Sequence, residues 1–270
     1  MHRITRDDIM LECTNGLKYC VGVGLLWWLP KLARNWISQA DKVVCVSRRQ
    51  ANIILDQMPE LRSKIKVMYN PPPPELINRE QAKNLSEVLT FLYLGGDSYI
   101  KGFHILLQAL RELGESNIRA RFILAGSYQS GNLTLPKKLG EKYRSLEINV
   151  KGKIGYEEVL DLHNQAWALL FPSISEKSFP NVVVEATLPG TILIAAKVGG
   201  VIKIVEGTTA STFMFTPSKV YELIENIKKI FSLSISEIGV LGYRLKEEVL
   251  KKLNLSKLEE NVLEVFASTI

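Results

Sequence analysis

The stretch that most constrains this chain is residues 171–200, FPSISEKSFPNVVVEATLPGTILIAAKVGG. The apolar run 168–171 leads into Pro172-Ser173, a loop carrying Glu176 follows, and Pro180 opens an element that contains Glu185. Proline suits the first turn of a helix, where its missing N–H is not needed. A second buried run, 191–198, ends at Gly199-Gly200. The order strand, loop, helix, strand predicts a βαβ unit. In open parallel sheets, ligands bind at the carboxyl ends of the strands. The amides at the helix start, at Asn181 and Val182, form an anion site favoured by the helix dipole. Glu176 falls in the loop and Glu185 one or two helical turns further on.

The rest of the chain repeats this alternation. Residues 89–94 read as a strand, Gly95-Gly96 as a tight turn, and Lys101-Gly102 as the entry to an amphipathic helix over 103–113. Glycines permit close backbone approach, and a lysine at a helix start can meet a phosphate, although most such lysines are simply solvated. Further strands are predicted at 121–126, with Gly126 at the carboxyl end, and at 148–151 and 212–216. Helices are predicted at 136–144, 156–166 and 219–231, with two more from Ser236 onward. His163, on the helix over 156–166, has no acidic or nucleophilic neighbour in sequence and reads as packing or surface. Upstream, 41–47 and 64–69 read as strands separated by an amphipathic helix through Ile54 and Leu55. Pro71, Pro72, Pro73 and Pro74 then mark a domain boundary, because consecutive prolines cannot donate to a sheet and favour an extended conformation. Alternating strands and helices predict an α/β fold with parallel sheets.

Composition bounds the function classes. The 270 residues can hold one large or two small domains, and 46% hydrophobic with 23% charged residues is ordinary for a globular chain. The net charge of +6 admits nucleic acid, anionic lipid or an anionic small substrate. Lysines are spread out and no nucleic-acid motif occurs, so no nucleic-acid partner is expected. Cys13, Cys20 and Cys45 lack metal-site spacing, and their odd number does not suggest a disulfide framework; a reducing, cytoplasmic compartment is expected. No apolar run reaches membrane-spanning length, and no signal-peptide core lies directly behind the first residues. Residues 25–37, LLWWLPKLARNWI, read as an amphipathic, proline-interrupted helix. It either docks on its own domain or dips into a headgroup region, where Trp and basic residues are at home.

Pro-Ser, Glu176, Phe-Pro-Asn-Val-Val-Val-Glu185-Ala and a glycine before the second strand together resemble the retaining glycosyltransferases of family 4. The resemblance covers residues 41–270 and implies a GT-B fold, with one complete Rossmann-like C-terminal domain and a partial N-terminal one. It implies a donor sugar and diphosphate beside Glu176, and a nucleotide ribose hydrogen-bonded by Glu185. The family spacing is Glu-x7-Glu; here it is Glu-x8-Glu, with the extra residue in a loop. Lys101 matches a family lysine that holds the diphosphate with an arginine, but Gly96 stands where that arginine would be. Gly95, Gly96 and Gly126 are expected at the donor, and the backbone of Lys153 and Ile154 beside the nucleobase. A family glutamate is replaced by Lys203, and His2 falls where a member can carry a histidine near the acceptor.

The resulting domain division is residues 1–74 on the acceptor side, 75–250 for the donor, and 251–270 as a helix crossing back through Leu258, Val262, Leu263 and Phe266. Lys101 and Glu176 are the expected catalytic pair. No cofactor is implied, since the sugar nucleotide is substrate, and the absence of Asp-x-Asp points away from a metal. The short first domain leaves three readings open. One is a glycosyltransferase with a glycan or lipid-linked acceptor, located in the cytoplasm or peripherally on the inner membrane face. The second is a sugar-nucleotide-binding protein that depends on a second subunit, and the third an unrelated nucleotide-binding α/β protein or a GT-B epimerase.

Overall fold

The computed structural model describes residues 29–73, 76–77, 83–129, 131–175 and 180–267. His2, Cys13, Cys20, residues 25–28 and Glu176 lie outside the described residues. Contacts divide the chain into two compact units, Met1–Tyr69 with Ser256–Ile270, and Asn70–Leu255. The polyproline segment therefore belongs to the second unit, because Asn70 already bonds within it, through its Nδ2 to Asn181 Oδ1 at 3.0 Å.

In the first unit, helix α1 (Leu29–Gln39), strand β1 (Val43–Cys45), helix α2 (Arg48–Gln57), a 3-10 turn (Pro59–Ser63) and strand β2 (Ile65–Val67) follow one another. Pro30 is the second residue of α1, so it starts this helix instead of interrupting it. Ser47 caps α2 by accepting from the Gln50 amide. β1 and β2 pair in parallel. Ile37, Cys45, Ala51, Ile54, Met58 and Leu61 make a small core, and burial pushes the Cys45 thiol pKa up. Helix α10 (Leu255–Ala267) belongs to this unit from Ser256 onward, and Glu264 pairs with Lys66 at 3.4 Å.

The second unit is a six-stranded, wholly parallel sheet, ordered β5-β4-β3-β6-β7-β8. Its strands are β3 (Thr90–Tyr93), β4 (Ala120–Leu124), β5 (Leu146–Val150), β6 (Ala168–Phe171), β7 (Ile192–Ala196) and β8 (Met214–Phe215). Every residue of β3, β6 and β7 is buried, the pattern of a strand covered on both faces, whereas edge strand β5 alternates. Helices α3 (Phe103–Glu115), α4 (Thr134–Lys142), α5 (Tyr156–Gln165), α6 (Asn181–Thr187), α7 (Val201–Val205), α8 (Val220–Phe231) and α9 (Ile235–Leu253) provide the cover. Phe91 on β3 stacks on Phe122 of β4 and meets Phe231 of α8, which ties the sheet to that helix. α9 starts with a full capping box between Ser234 and Glu237. Of the expected strand 212–216, Thr212 and Phe213 close a 3-10 turn (Thr209–Phe213), and Met214 and Phe215 join the sheet.

At the amino-terminal edge of the sheet lies a buried polar knot. Lys83 Nζ donates to His163 O and Ala166 O, the closing carbonyls of α5, and to Thr191 Oγ1, while the Thr191 hydroxyl donates to His163 O. Burial lowers the Lys83 pKa to about 7. His163 is fully buried and neither ring nitrogen has a hydrogen-bond partner; burial, then the nearby Lys83 charge, lowers its pKa to about 3. Packing, not surface, is the answer for His163.

Two outcomes follow from this knot. Lys83→Met leaves Ala166 O without its donor and should cost about 1–3 kcal/mol in chemical denaturation. His163 stays neutral in the fold down to about pH 3, whereas the unfolded chain protonates it near 6.5. Stability should therefore fall as pH drops through that window, by up to about 1.4 kcal/mol per pH unit. His163→Leu should remove this component of the slope, measured by denaturation at a series of pH values.

Candidate functional site

In the strand order β5-β4-β3-β6-β7-β8, the chain runs outward from β3 on one side and from β6 on the other. The carboxyl ends of β3 and β6 thus flank the topological switch point, where open parallel sheets form a crevice. A crevice is present there, walled by Tyr93, Leu94 and Gly95 after β3, by Leu169–Phe171 of β6, and by Lys101 and Val182. The geometry therefore brings Gly95, Lys101 and Val182 together, although they are far apart in sequence.

The loops that present these residues interlock. Gly96 N donates to Ala125 O, Asp97 N to Ser127 O, and Gly126 N to Gly152 O, joining the loops after β3, β4 and β5. Gly96 has φ +59° and Gly126 φ +135°; a Cβ on either would collide with the backbone of the other loop. Asp97 Oδ2 accepts from Gln129 N at 2.7 Å and Asn132 Nδ2 at 2.9 Å. On the other side, Ile100 O accepts from Ser173 Oγ and Ile174 N, both at 3.0 Å, and Gly102 (φ +79°) lies against Pro172 O. Gly96, Gly102 and Gly126 thus each have a packing reason of their own.

Lys101 lies in the turn two residues before α3. Its side chain reaches solvent, yet the surrounding protein desolvates the ammonium enough to lower its pKa. Pro180 is the N-cap of α6, one position earlier than a first-turn proline, and Asn181 and Val182 are the first helical residues. Glu185 is half-buried on α6, one turn beyond Val182; burial raises its pKa, and its carboxylate makes no hydrogen bond or ion pair with the described residues. Lys153 and Ile154 lie in the loop after β5 on the same edge of the sheet. Lys203 is exposed on α7 and pairs with Glu206 at 3.5 Å. Sequence reading missed Asp97, whose role depends on loops beyond β4, and Tyr93, which reads as an ordinary strand aromatic.

The family model for glycosyl transferases group 1 matches residues 76–238, more than half of the chain. The chain belongs to that family. Among curated proteins, the phosphatidylinositol N-acetylglucosaminyltransferase gpi3 subunit of Schizosaccharomyces pombe is 26% identical over 208 residues, covering 73% of this chain and 45% of that protein. This group 1 chain thus spans less than half the length of that relative. Among solved structures, Anabaena Alr3699/HepE in complex with UDP and glucose matches with TM-score 0.66 at 20% identity, over 85% of this chain and 63% of that one. A glycosyltransferase from Rickettsia africae matches with TM-score 0.68 at 19% identity, over 83% and 62%. A point mutant of S. aureus TarM, in complex with Fondaparinux, alpha-GlcNAc-glycerol and UDP, matches with TM-score 0.70 at 13% identity, over 85% and 44%. These likenesses establish a GT-B-like α/β fold with parallel sheets.

Gly102→Ala should both strain a left-handed residue and push the Lys101 turn off Pro172. A loss of at least about 1–2 kcal/mol is expected from the backbone alone, read as a lower thermal midpoint.

Proposed function

We propose that this chain carries the donor half of a retaining, family 4 glycosyltransferase, which moves a sugar from a nucleotide-diphosphate sugar to a glycan or lipid-linked acceptor. The observation that carries the reading is the meeting of Lys101, Gly95 and Val182 in one crevice at the switch point. In the reaction, the bond from the anomeric carbon to the diphosphate oxygen breaks, and its electron pair stays with the diphosphate. An acceptor oxygen forms the new bond, and its proton leaves with the departing phosphate. The transition state resembles an oxocarbenium ion, with negative charge growing on the leaving group.

Lys101 is the cation aimed at that charge. The desolvation that lowers its pKa also strengthens its attraction to a diphosphate, because the same charges interact more strongly in a low dielectric. The α6 amides at Asn181 and Val182 add to it modestly, since this helix has only seven residues. Glu185, desolvated and unpartnered among the described residues, suits a pair of ribose hydroxyls that would donate to it. Glu176 is assigned to the donor sugar by its place in the motif, and the backbone at Lys153 and Ile154 to the nucleobase. Gly95, Gly96 and Gly126 hold the loops close enough for the backbone to meet the donor. The lysine replaces a metal in this scheme, and no other cofactor is invoked.

The gpi3 relative, by its name a subunit that acts on a phosphatidylinositol, supports a lipid acceptor and a partner chain that completes the acceptor side. Helix α1 supports peripheral contact on the inner face of a membrane: Leu32 and Trp36, 38% and 63% exposed and one turn apart, accompany Lys31 and Arg34. Among the described residues, no helix is long and apolar enough to cross a membrane. The second reading, sugar-nucleotide binding without transfer, is favoured by the missing second cation, since Gly96 stands where the family arginine is expected.

A thermal-shift screen against UDP, UDP-glucose and UDP-GlcNAc, paired with a donor-hydrolysis assay, separates these readings. Ligand at a hundred times its Kd adds about 2.7 kcal/mol to the folded state, so the melting point should rise. Lys101→Ala should abolish turnover, and chelating agents should not affect the wild-type protein. Near-normal turnover without Lys101 removes it from the mechanism. Binding without turnover selects the second reading, and no shift with any sugar nucleotide sinks both.

A further inference from the structure

Tyr93, the last residue of β3, has no part in the scheme above, yet it is 2% exposed and stands in the wall of the crevice. The backbone at Gly95 doubles over its ring so closely that a Cβ there would fall on the phenol oxygen. The same hydroxyl then reaches Lys101 O at 3.4 Å.

The other carbonyls of the loop have partners of their own. Ser98 O accepts from the Lys101 and Phe103 amides, Tyr99 O from Gly102 N, Ile100 O from Ser173 and Ile174, and Gly102 O from Leu106 N. Among the described residues Lys101 O has one partner, the Tyr93 hydroxyl. Backbone carbonyls take a donor where one is in reach, and this one phenol touches both ends of the turn from Gly95 to Lys101. We infer that Tyr93 is the positioning residue for Lys101, holding the backbone of the turn that sets this lysine in the crevice wall. This deepens the proposed function and rests on Lys101 being the diphosphate cation.

Tyr93→Phe keeps the ring under Gly95 and removes only the hydroxyl. The first readout needs no ligand: pH-dependent acetylation of the lysines by acetic anhydride, followed by mass spectrometry, with exposed Lys138 and Lys219 as references. Desolvation lowers the Lys101 pKa in the wild-type protein, and in Tyr93→Phe its reaction profile should move to higher pH while the profiles of Lys138 and Lys219 are the same in both proteins. An unchanged Lys101 profile overturns the inference. The second readout is UDP affinity by calorimetry, expected to weaken about tenfold in Tyr93→Phe. In a Lys101→Ala background the tyrosine substitution should add nothing. If the two losses multiply, Tyr93 acts on the fold at large and the inference fails. If Lys101→Ala leaves UDP affinity unchanged, the functional reading falls, while the acetylation profile still decides the role of Tyr93.

Discussion

Close backbone contact between neighbouring loops at the carboxyl edge of the sheet is the constraint on which the rest of this structure depends. The loops after β3, β4 and β5 are joined by amide-to-carbonyl bonds at Gly96, Asp97 and Gly126, and the loop after β3 is joined to that after β6 through Ile100, Ser173 and Ile174. Side chains at Gly96, Gly102 or Gly126 would force these loops apart. Loops ordinarily move more than the strands they extend. Here their polar groups satisfy one another, so a lysine carried on a loop has a defined place beside a strand end.

Gly96 occupies the position of an expected arginine, and its φ of +59° shows that the backbone there is spent on loop packing. Lys203 does not replace that cation, because its ammonium is turned to Glu206, the residue that closes the same short helix. Asp97, the acidic residue within the turn, is engaged by Gln129 and Asn132. Among the described residues, Lys101 and Glu185 are two desolvated, opposite charges whose pKa values both shift toward the neutral form. Such groups are costly to keep and are common where a ligand completes their environment.

The second unit was legible in the sequence because its signals are local. Apolar runs bounded by glycine or proline marked β3, β6 and β7, and helical spacing of Ile105, Leu106, Ala109 and Leu110 marked α3. The failures came where local signal was weak. Residues 209–213 form a 3-10 turn because Thr208, Ser211 and Thr212 bond their own backbone neighbours. Lys83 gave no signal at all: its three acceptors come from α5 and the start of β7, about a hundred residues away.

What the amino-acid order determined alone was the βαβ alternation, which also made Lys101 and the Glu185 helix candidates. These depend on hydrophobic period and on glycine and proline stereochemistry, which act over a few residues. What only the tertiary structure decided was the strand order that sets β3 beside β6, and with it the crevice shared by Lys101 and Val182. It also decided the burial of His163 and the hold of Tyr93 on the Lys101 turn. Desolvation and hydrogen-bond satisfaction are set by everything within reach in space, and neighbours in sequence supply only part of that.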